Sequence, residues 1–351
     1  FRPSQSGDVV FRFQLDGEVI LMVDGKQVAE KVYVKNPTNL YTLQAKAGKE
    51  YHIEILFKQR NERATLDFDL GKQVEINLNL AVEKVKDADI VLFAGGISPS
   101  LEGEEMPVEV PGFKGGDRTD IELPAVQRDL LKALKKAGKK VVFINYSGSA
   151  IGLVPESNTC EAILQAWYPG QAGGTAIVDV LFGDYNPAGR LPVTFYKNAG
   201  QLPDFEDYSM KGRTYRYMQQ EPLFPFGYGL SYTDFTYGEA KLSKNTIAKG
   251  ENVVLTIPVS NVGQRDGEEV VQVYLRRPGD KEGPCYTLRA FKRVHILAGK
   301  TESVAIPLTG ENLEWFDVES NTMRPLEGTY ELLYGGTSDR NKLKTIVMNV
   351  Q

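Results

Sequence analysis

The sequence predicts a multidomain protein in which a mixed α/β domain is flanked by two all-β domains. Three observations predict it. Apolar and polar residues alternate over residues 1–78, buried-type strands alternate with helices over residues 79–236, and short strands recur at even spacing over residues 237–351. The length of 351 residues agrees with this division, since one domain usually takes ~100–200 residues.

The first domain is predicted to be all-β because its apolar residues follow a period of two. Residues 9–13 alternate, and residues 19–23 form a compact apolar run that ends at Asp24-Gly25. Asp-Gly is a strong hairpin signal because both positions tolerate a positive φ. We therefore expect strand structure in both segments, with a hairpin turn at Asp24-Gly25.

The central domain is predicted to contain a mainly parallel sheet. Residues 88–94, 140–144 and 162–167 read as buried strands, and they alternate with helices over 124–137 and 173–182. Strands that alternate with helices at this spacing form α/β units. The third domain has strands over 252–257, 269–275, 303–308 and 328–334 between Gly- and Asn-rich turns, which is typical of a β-sandwich.

Composition excludes several classes of function. The formal net charge of −5 provides no basic surface for nucleic acid or anionic lipid, and no apolar run approaches the ~20 residues that span a bilayer. The chain has only two histidines, His52 and His295, and two cysteines, Cys160 and Cys285, all far apart. A His-based metal site, a Ser-His-Asp site and a disulfide framework are therefore not expected. Catalysis would have to use carboxylates, hydroxyls or phenols, and we expect no metal and no organic cofactor.

The loop after the first buried strand is the strongest candidate site. Four carboxylates are concentrated there beside several glycines: Glu102, Glu104, Glu105 and Glu109. Ligands of open α/β sheets bind beyond the carboxyl ends of the strands, which is where this loop lies. Like charges in close quarters raise one another's pKa, so one carboxyl group can stay protonated as a general acid. The alternative is a solvated acidic loop.

A second segment, residues 212–232, is dense in aromatic residues. Aromatic faces suit sugar rings, so a carbohydrate contact is one interpretation. Proline and glycine interrupt the segment, however, which favours an irregular linker whose aromatic side chains pack one domain against the next.

The motifs of the central and third domains resemble a known family. Roughly residues 80–235 contain, in this order, LEGEEM, GGDRTDIELPAVQ, SGSAIGL, AWYPGQAGGTAIVDVLFGDYNPAGRLPVTFY and PLFPFGYGLSYT. These motifs resemble the C-terminal half of glycoside hydrolase family 3 enzymes of the β-xylosidase/β-glucosidase group. VSNVGQRDGEEVVQVYLRRP and LEGTYELLYGG resemble the fibronectin type III-like domain of that family. The resemblance implies retaining, exo-acting hydrolysis of β-linked glucosides or xylosides, with a β-linked oligosaccharide or aryl glycoside as substrate.

Residues 1–78 resemble a PA14 domain that starts partway in, through SGDVVFRF and LQAKAGKEYHIEI. Such domains are inserted in this half of some family members. Leu15-Asp16-Gly17 replaces the paired acidic residues with which some sugar-binding PA14 domains hold calcium. The resemblance therefore does not imply lectin activity.

The resemblance also implies roles for particular residues. Alignment on L-E-x-E places the general acid/base at Glu104, with Glu102 and Glu105 as alternatives. Asp117 and Arg118 are expected to order the loop through an ion pair. In the family the nucleophilic Asp lies on an N-terminal (β/α)₈ barrel, and no stretch of this chain resembles that barrel or its nucleophile motif.

The expectation is therefore about half of an enzyme, inactive without the missing barrel as its partner. The alternative is a carbohydrate-binding or adhesion protein that keeps the fold without catalysis. Kinship with the family places the parent in the periplasm or outside the cell. Association with nucleic acid or membrane is not expected, and a homodimer stays an open alternative.

Overall fold

The computed structural model describes residues 1–60, 62, 64–74, 77–99, 101–102, 105 and 108–351, without the side chains of residues 35–37 and 109. The chain divides into two compact units, Phe1–Glu83 and Lys84–Gln351, and each is described by itself. No helix of the described ranges combines the length and apolar character needed to cross a bilayer.

The first unit is an antiparallel sheet built around one long strand. Its strands and the helix that follows them are β1 (Gly7–Val23), β2 (Lys26–Ala45), β3 (Ile53–Lys58), β4 (Thr65–Gly71) and α1 (Leu78–Lys84). Strand β1 pairs with β2 on one edge, and on the other edge it pairs with both β3 and β4. Alternate side chains of β1, from Val9 to Val23, form the core of the unit. The hairpin expected at Asp24-Gly25 is confirmed, since both residues have positive φ and Val23 pairs with Lys26.

Strand β1 runs through both segments, 9–13 and 19–23, without a turn between them. Irregularities in the pairing with β2, between Phe13 and Glu18, absorb the change of register at this point. Gly17 has φ +147°, and a Cβ at this position would stand 2.8 Å from the carbonyl oxygen of Lys58. The glycine therefore permits close strand pairing rather than a chain reversal.

The second unit begins with an α/β part, and its predicted parallel sheet is confirmed. The sheet has the order β10-β9-β5. The elements of this part are β5 (Ile90–Gly96), β6 (Glu109–Val110), β7 (Phe113–Lys114), β8 (Asp117–Arg118), α2 (Ala125–Lys136), β9 (Lys140–Tyr146), α3 (Val154–Thr159), β10 (Ala162–Gln165) and α4 (Gly173–Phe182). Helix α2 buries Leu131 and Leu134 and ends before Gly138, whose φ of +75° suits glycine.

The rest of the second unit is a β-sandwich, as the strand pattern predicts. One sheet has β14 at its centre, and the other has the order β13-β21-β20-β15-β16. The elements are α5 (Thr214–Tyr217), β11 (Phe235–Tyr237), β12 (Lys241–Leu242), β13 (Thr246–Ile247), β14 (Val253–Asn261), β15 (Gly267–Arg276), β16 (Thr287–Ile296), β17 (Thr301–Leu308), β18 (Glu314–Asp317), β19 (Thr322–Pro325), β20 (Gly328–Gly335) and β21 (Lys344–Val350). Inward-facing residues of both sheets, such as Leu255, Val273 and Leu332, are fully buried.

The aromatic segment between the two parts packs as a connection. The ring of Tyr215 stacks on Phe226 with centroids 4.7 Å apart. It also meets Tyr274 and Tyr286 of the β-sandwich at 5.7 and 5.6 Å. The interpretation of residues 212–232 as a packed linker is therefore confirmed.

Gly96, the last residue of β5, provides a test of how closely β5 packs against β9. A Cβ on Gly96 would stand 1.9 Å from the carbonyl oxygen of Tyr146, and the φ of Gly96 is +131°. We expect Gly96→Ala to lower the free energy of unfolding by about 3 kcal/mol or more. The urea midpoint of tryptophan fluorescence measures this, since both tryptophans, Trp167 and Trp315, lie in the second unit.

Gly174→Ala is the matched control for that experiment. Gly174 lies in α4, has no heavy atom within 4 Å of an added Cβ and needs no positive φ. Its substitution should change the free energy of unfolding by no more than about 0.5 kcal/mol. Equal midpoints for the two variants would contradict the close approach of Gly96 to Tyr146.

Candidate active-site loop

The segment between β5 and α2, residues 97–124, is called the acidic loop below. Glu102 lies at the centre of a hydrogen-bonded cluster that joins this loop to the rest of the α/β part. Arg118 Nη1 donates to Glu102 Oε1 over 3.1 Å, and Ser149 Oγ lies 3.0 Å from the same oxygen. Tyr168 Oη lies 2.7 Å from Glu102 Oε2. The Glu102 side chain is 16% exposed. These four residues are called the Glu102 cluster below.

The topology explains why residues so distant in sequence meet. Glu102, Ser149 and Tyr168 follow β5, β9 and β10 respectively, and these strands are parallel neighbours. The carboxyl ends of parallel strands lie at the same edge of a sheet, so the loops after them converge. Arg118, at the end of β8, closes the acidic loop from its far side.

Arg118 links the beginning of the acidic loop to its end. Its Nε donates to the carbonyl oxygen of Asp120 over 3.0 Å, and its Nη2 donates to that of Glu122 over 3.2 Å. The guanidinium also lies over the ring of Phe113, 5.0 Å from its centroid. One side chain thus holds Glu102 and the chain leading into α2 together.

A second network of hydrogen bonds holds the end of the acidic loop, where the chain leads into α2. Arg128 of α2 donates to both carboxylate oxygens of the buried Glu156, over 2.7 and 3.0 Å, and to Glu122 over 2.7 Å. Burial alone would lower the pKa of Arg128, but the hydrogen bonds to the two carboxylates outweigh it and raise that pKa above its ordinary value. The guanidinium therefore stays charged and keeps α2, α3 and the loop end joined.

The start of the loop is fixed by Gln127, also on α2. Its Nε2 donates to the carbonyl oxygen of Gly96 over 2.7 Å, and the Gly96 N–H donates back to Gln127 Oε1 over 2.8 Å. The last residue of β5 is therefore bound through both of its backbone polar groups. Helix α2 thus holds both ends of the acidic loop.

Tyr168 is a neutral hydrogen-bond donor in this cluster. Burial, followed by the hydrogen bond and charge of Glu102, raises the pKa of Tyr168 to about 12. The phenol therefore keeps its proton at neutral pH. Its Oη also lies 2.8 Å from the carbonyl oxygen of Ile97, so the hydroxyl joins Glu102 to the first residue after β5.

The residues that the sequence predicts for the site have different environments in the structure. Glu104, the expected acid/base, lies outside the described residues, as does the side chain of Glu109. Glu102 is held in its cluster, whereas Glu105 is exposed at a φ of +50°. Asp117 is also exposed, and within the described part of the chain the ion pair of Arg118 is formed with Glu102 and not with Asp117.

Sequence reasoning missed Ser149 and Tyr168 as members of the site. Both belong to motifs that carry the family resemblance, SGSAIGL and AWYPGQ. Both also follow predicted parallel strands, so their convergence with the acidic loop could have been inferred from topology. Among the described residues, no group of three or more His, Cys, Asp or Glu side chains could hold a metal ion.

Comparison with known protein families agrees with this architecture. Residues 16–232 match the model of the glycosyl hydrolase family 3 C-terminal domain, and residues 269–338 match the fibronectin type III-like domain. The chain therefore belongs to glycosyl hydrolase family 3. It has the mixed architecture of that family, with an α/β domain and a fibronectin type III-like domain.

Curated relatives have related names. A xylan 1,4-beta-xylosidase from Xylanibacter ruminicola is 50% identical over 100% of this chain and 40% of the relative. A periplasmic beta-glucosidase from Salmonella typhimurium is 35% identical over 72% of this chain and 35% of the relative. The chain thus spans well under half the length of either relative.

Solved structures show the same partial coverage. A beta-glucosidase from Kluyveromyces marxianus in complex with glucose is 25% identical, with a TM-score of 0.77 over 100% of this chain and 43% of its own. A beta-glucosidase from Listeria innocua in complex with glucose is 26% identical, with a TM-score of 0.65 over 80% of this chain and 39% of its own. The second match also omits part of this chain.

The Glu102 cluster can be tested through the hydroxyl of Tyr168. Tyr168→Phe keeps the ring but removes the hydroxyl, whose single proton is shared between Glu102 Oε2 and the carbonyl oxygen of Ile97. A hydrogen bond to a charged group contributes ~1.5–3 kcal/mol when buried, so for this partly exposed pair we expect about fivefold to tenfold faster amide exchange. Hydrogen exchange of Leu101 and Glu102, followed by mass spectrometry, measures it.

Tyr185→Phe is the matched control for Tyr168→Phe. The hydroxyl of Tyr185 also donates to a glutamate, Glu268, over 3.1 Å, but at the edge of the β-sandwich. This variant should leave the exchange of Leu101 and Glu102 unchanged. If both variants accelerate it equally, Tyr168 does not hold the loop through Glu102.

Proposed function

We propose that this chain carries the general acid/base of a retaining, exo-acting β-glycosidase that removes xylosyl or glucosyl units from β-linked oligosaccharides. The Glu102 cluster is the observation that supports the proposal most directly. It anchors Glu102, at the start of a carboxylate-rich loop, near the carboxyl edge of a parallel sheet, in a chain that belongs to glycosyl hydrolase family 3. A loop that delivers a proton needs this positioning, whereas a solvated acidic surface does not.

The general acid is assigned to Glu104, with Glu105 as the alternative. Glu102 is less suited, because Arg118, Ser149 and Tyr168 surround its carboxylate with three donors. Both of its oxygens are thereby occupied within the protein, whereas a general acid must reach the oxygen of the leaving group. The family motif L-E-x-E then points to its second carboxylate.

In the proposed reaction, Glu104 and a nucleophilic Asp lie on opposite sides of the scissile bond. The Asp, which we place in a part of the enzyme outside these residues, attacks the anomeric carbon while Glu104 gives its proton to the departing oxygen. A glycosyl-enzyme ester forms and the leaving group departs as an alcohol. Glu104 then takes a proton from water, the hydroxide attacks the anomeric carbon, and the Asp is released.

The substrate is proposed to be a β-xyloside rather than a β-glucoside. The β-xylosidase from X. ruminicola is 50% identical over the whole chain, whereas the β-glucosidase from S. typhimurium is 35% identical over 72% of it. A periplasmic or extracellular location is proposed as well, supported by the name of the Salmonella relative. Release of the enzyme by osmotic shock of the source cells would test the location.

The leaving-group dependence of Glu104→Gln tests the catalytic assignment. In the full-length protein, kcat/KM for xylobiose, a poor leaving group, should fall by about 10²–10⁴, because general acid catalysis contributes that much. For an aryl xyloside with an acidic phenol, kcat/KM should stay within a few fold. The alkaline limb of the pH profile for xylobiose, which reports ionisation of the acid, should disappear.

Glu102→Gln and Glu105→Gln are the controls. Each should retain the alkaline limb, because the proton donor is still present, even if Glu102→Gln lowers the rate by loosening the loop. If Glu105→Gln removes the limb and Glu104→Gln keeps it, the acid is Glu105. If neither substitution changes either substrate's rate, this loop does not supply the acid and the assignment is wrong. If the full-length protein hydrolyses neither substrate, a binding protein becomes the better interpretation.

A further inference from the structure

A pocket with a volume of about 480 Å³ lies where the linker of residues 212–232 meets the β-sandwich. The linker forms one wall through residues 218–225 and Tyr228. The β-sandwich forms the other through Tyr286, which precedes β16, and through residues 338–342, between β20 and β21. None of the four residues of the Glu102 cluster lines it. It is called the Tyr228 pocket below.

Hydrogen bonds join the two walls of the pocket. The Ser338 N–H donates to the carbonyl oxygen of Phe226 over 2.9 Å, and the Cys285 N–H donates to that of Arg216 over 2.6 Å. The hydroxyl of Tyr286 donates to the carbonyl oxygen of Ser338 over 2.6 Å. The walls are thus held together by the protein itself, so a ligand would enter a preformed pocket and would not have to order it.

Aromatic rings supply most of the apolar surface of the pocket. Phe224 and Tyr228 stack with their centroids 5.2 Å apart and their planes at 13°. Tyr215 and Tyr286 also line the pocket, with centroids 5.6 Å apart. The face of an aromatic ring is flat, apolar and partially negative. It therefore suits the CH face of a sugar ring, which is also apolar and is partially positive.

The polar groups of the pocket suit hydroxyl groups. The hydroxyl of Tyr228 forms no hydrogen bond with any residue that the structure describes, and burial raises the pKa of this phenol, so it keeps its proton at neutral pH. The side-chain amides of Gln219, Gln220 and Asn341 lie at the exposed rim. An amide and a phenol can each donate and accept, as the hydroxyl groups of a sugar do.

The formal charges of the lining cancel. It contains two acidic and two basic side chains: Glu221, Asp339, Arg340 and Lys342. Lys342 Nζ lies 4.0 Å from Asp339 Oδ2, and the guanidinium of Arg340 lies over the ring of Tyr286, 5.4 Å from its centroid. The pocket therefore presents no concentration of one charge that would select an ion, and a neutral polar ligand fits it better.

We propose that the Tyr228 pocket binds a neutral saccharide, with one sugar ring against an aromatic face and its hydroxyls bonded to Tyr228 and to the rim amides. The volume lies within the range of small-ligand sites, and an aromatic wall with a few polar groups is their usual composition. This inference does not rest on the proposed function, because it involves only the linker and the β-sandwich. The pocket would hold a saccharide without the acidic loop.

Tyr228→Phe tests the pocket, because it removes a hydroxyl that no described residue binds and should leave the fold intact. The ¹⁵N-labelled chain is titrated with xylobiose and followed by NMR. We expect saturable shifts of the amides over 218–224 and 338–342, and a Kd about threefold to tenfold higher for Tyr228→Phe, since one hydrogen bond to the ligand is lost. Tyr185→Phe is the matched control, because Tyr185 lies outside the pocket and its loss should leave Kd unchanged.

Asn341→Ala provides an independent variant, with Asn245→Ala as its control. Both asparagines are exposed, but only Asn341 lines the pocket. Xylitol, which has similar hydroxyls but no ring face, should produce no saturable shift. The proposal is overturned if xylobiose shifts neither segment saturably, if neither Tyr228→Phe nor Asn341→Ala weakens binding relative to its control, or if xylitol acts like xylobiose. Because binding is the readout, the result does not depend on whether the full-length protein hydrolyses a glycoside.

Discussion

The architecture of the candidate site depends on the guanidinium of Arg118. It bonds to Glu102, at the start of the acidic loop, and to the carbonyl oxygens of Asp120 and Glu122 at its end. A loop with several carboxylates repels itself, and an open loop also loses conformational entropy on ordering. One planar cation that satisfies three acceptors offsets both costs, which lysine, with its compact ammonium group, could not do in the same geometry.

A second guanidinium, that of Arg128, is connected to Arg118 through Glu122. Arg128 joins the buried Glu156 to Glu122, and Glu122 supplies the carbonyl oxygen to which Arg118 donates. Buried ion pairs contribute little net stability when intact, but the loss of one partner leaves an uncompensated charge. The two arginines therefore act as one connected network that joins Glu102 to the residues leading into α2.

The sequence predicted the elements of the second unit well because their signals are local. Helices over 124–137 and 173–182 have clear apolar patterns and glycine stops, and the structure has them at Ala125–Lys136 and Gly173–Phe182. The continuity of β1 was not predictable, because a glycine that permits close strand pairing reads like a glycine that ends a strand. The PA14-like assignment of the first 78 residues and the three domain boundaries stay predictions.

The partners of Glu102 carry no local signal in the sequence, because only the long-range order of the parallel strands brings them to one edge. Tyr168 is 66 residues away along the chain, and Ser149 is 47. Their convergence has a structural consequence at Gly148, where a Cβ would stand 2.6 Å from the ring of Tyr168 and 3.4 Å from Glu102 Oε2. Glycine at this position therefore lets the segment after β9 pack against both members of the hydrogen bond between Tyr168 and Glu102.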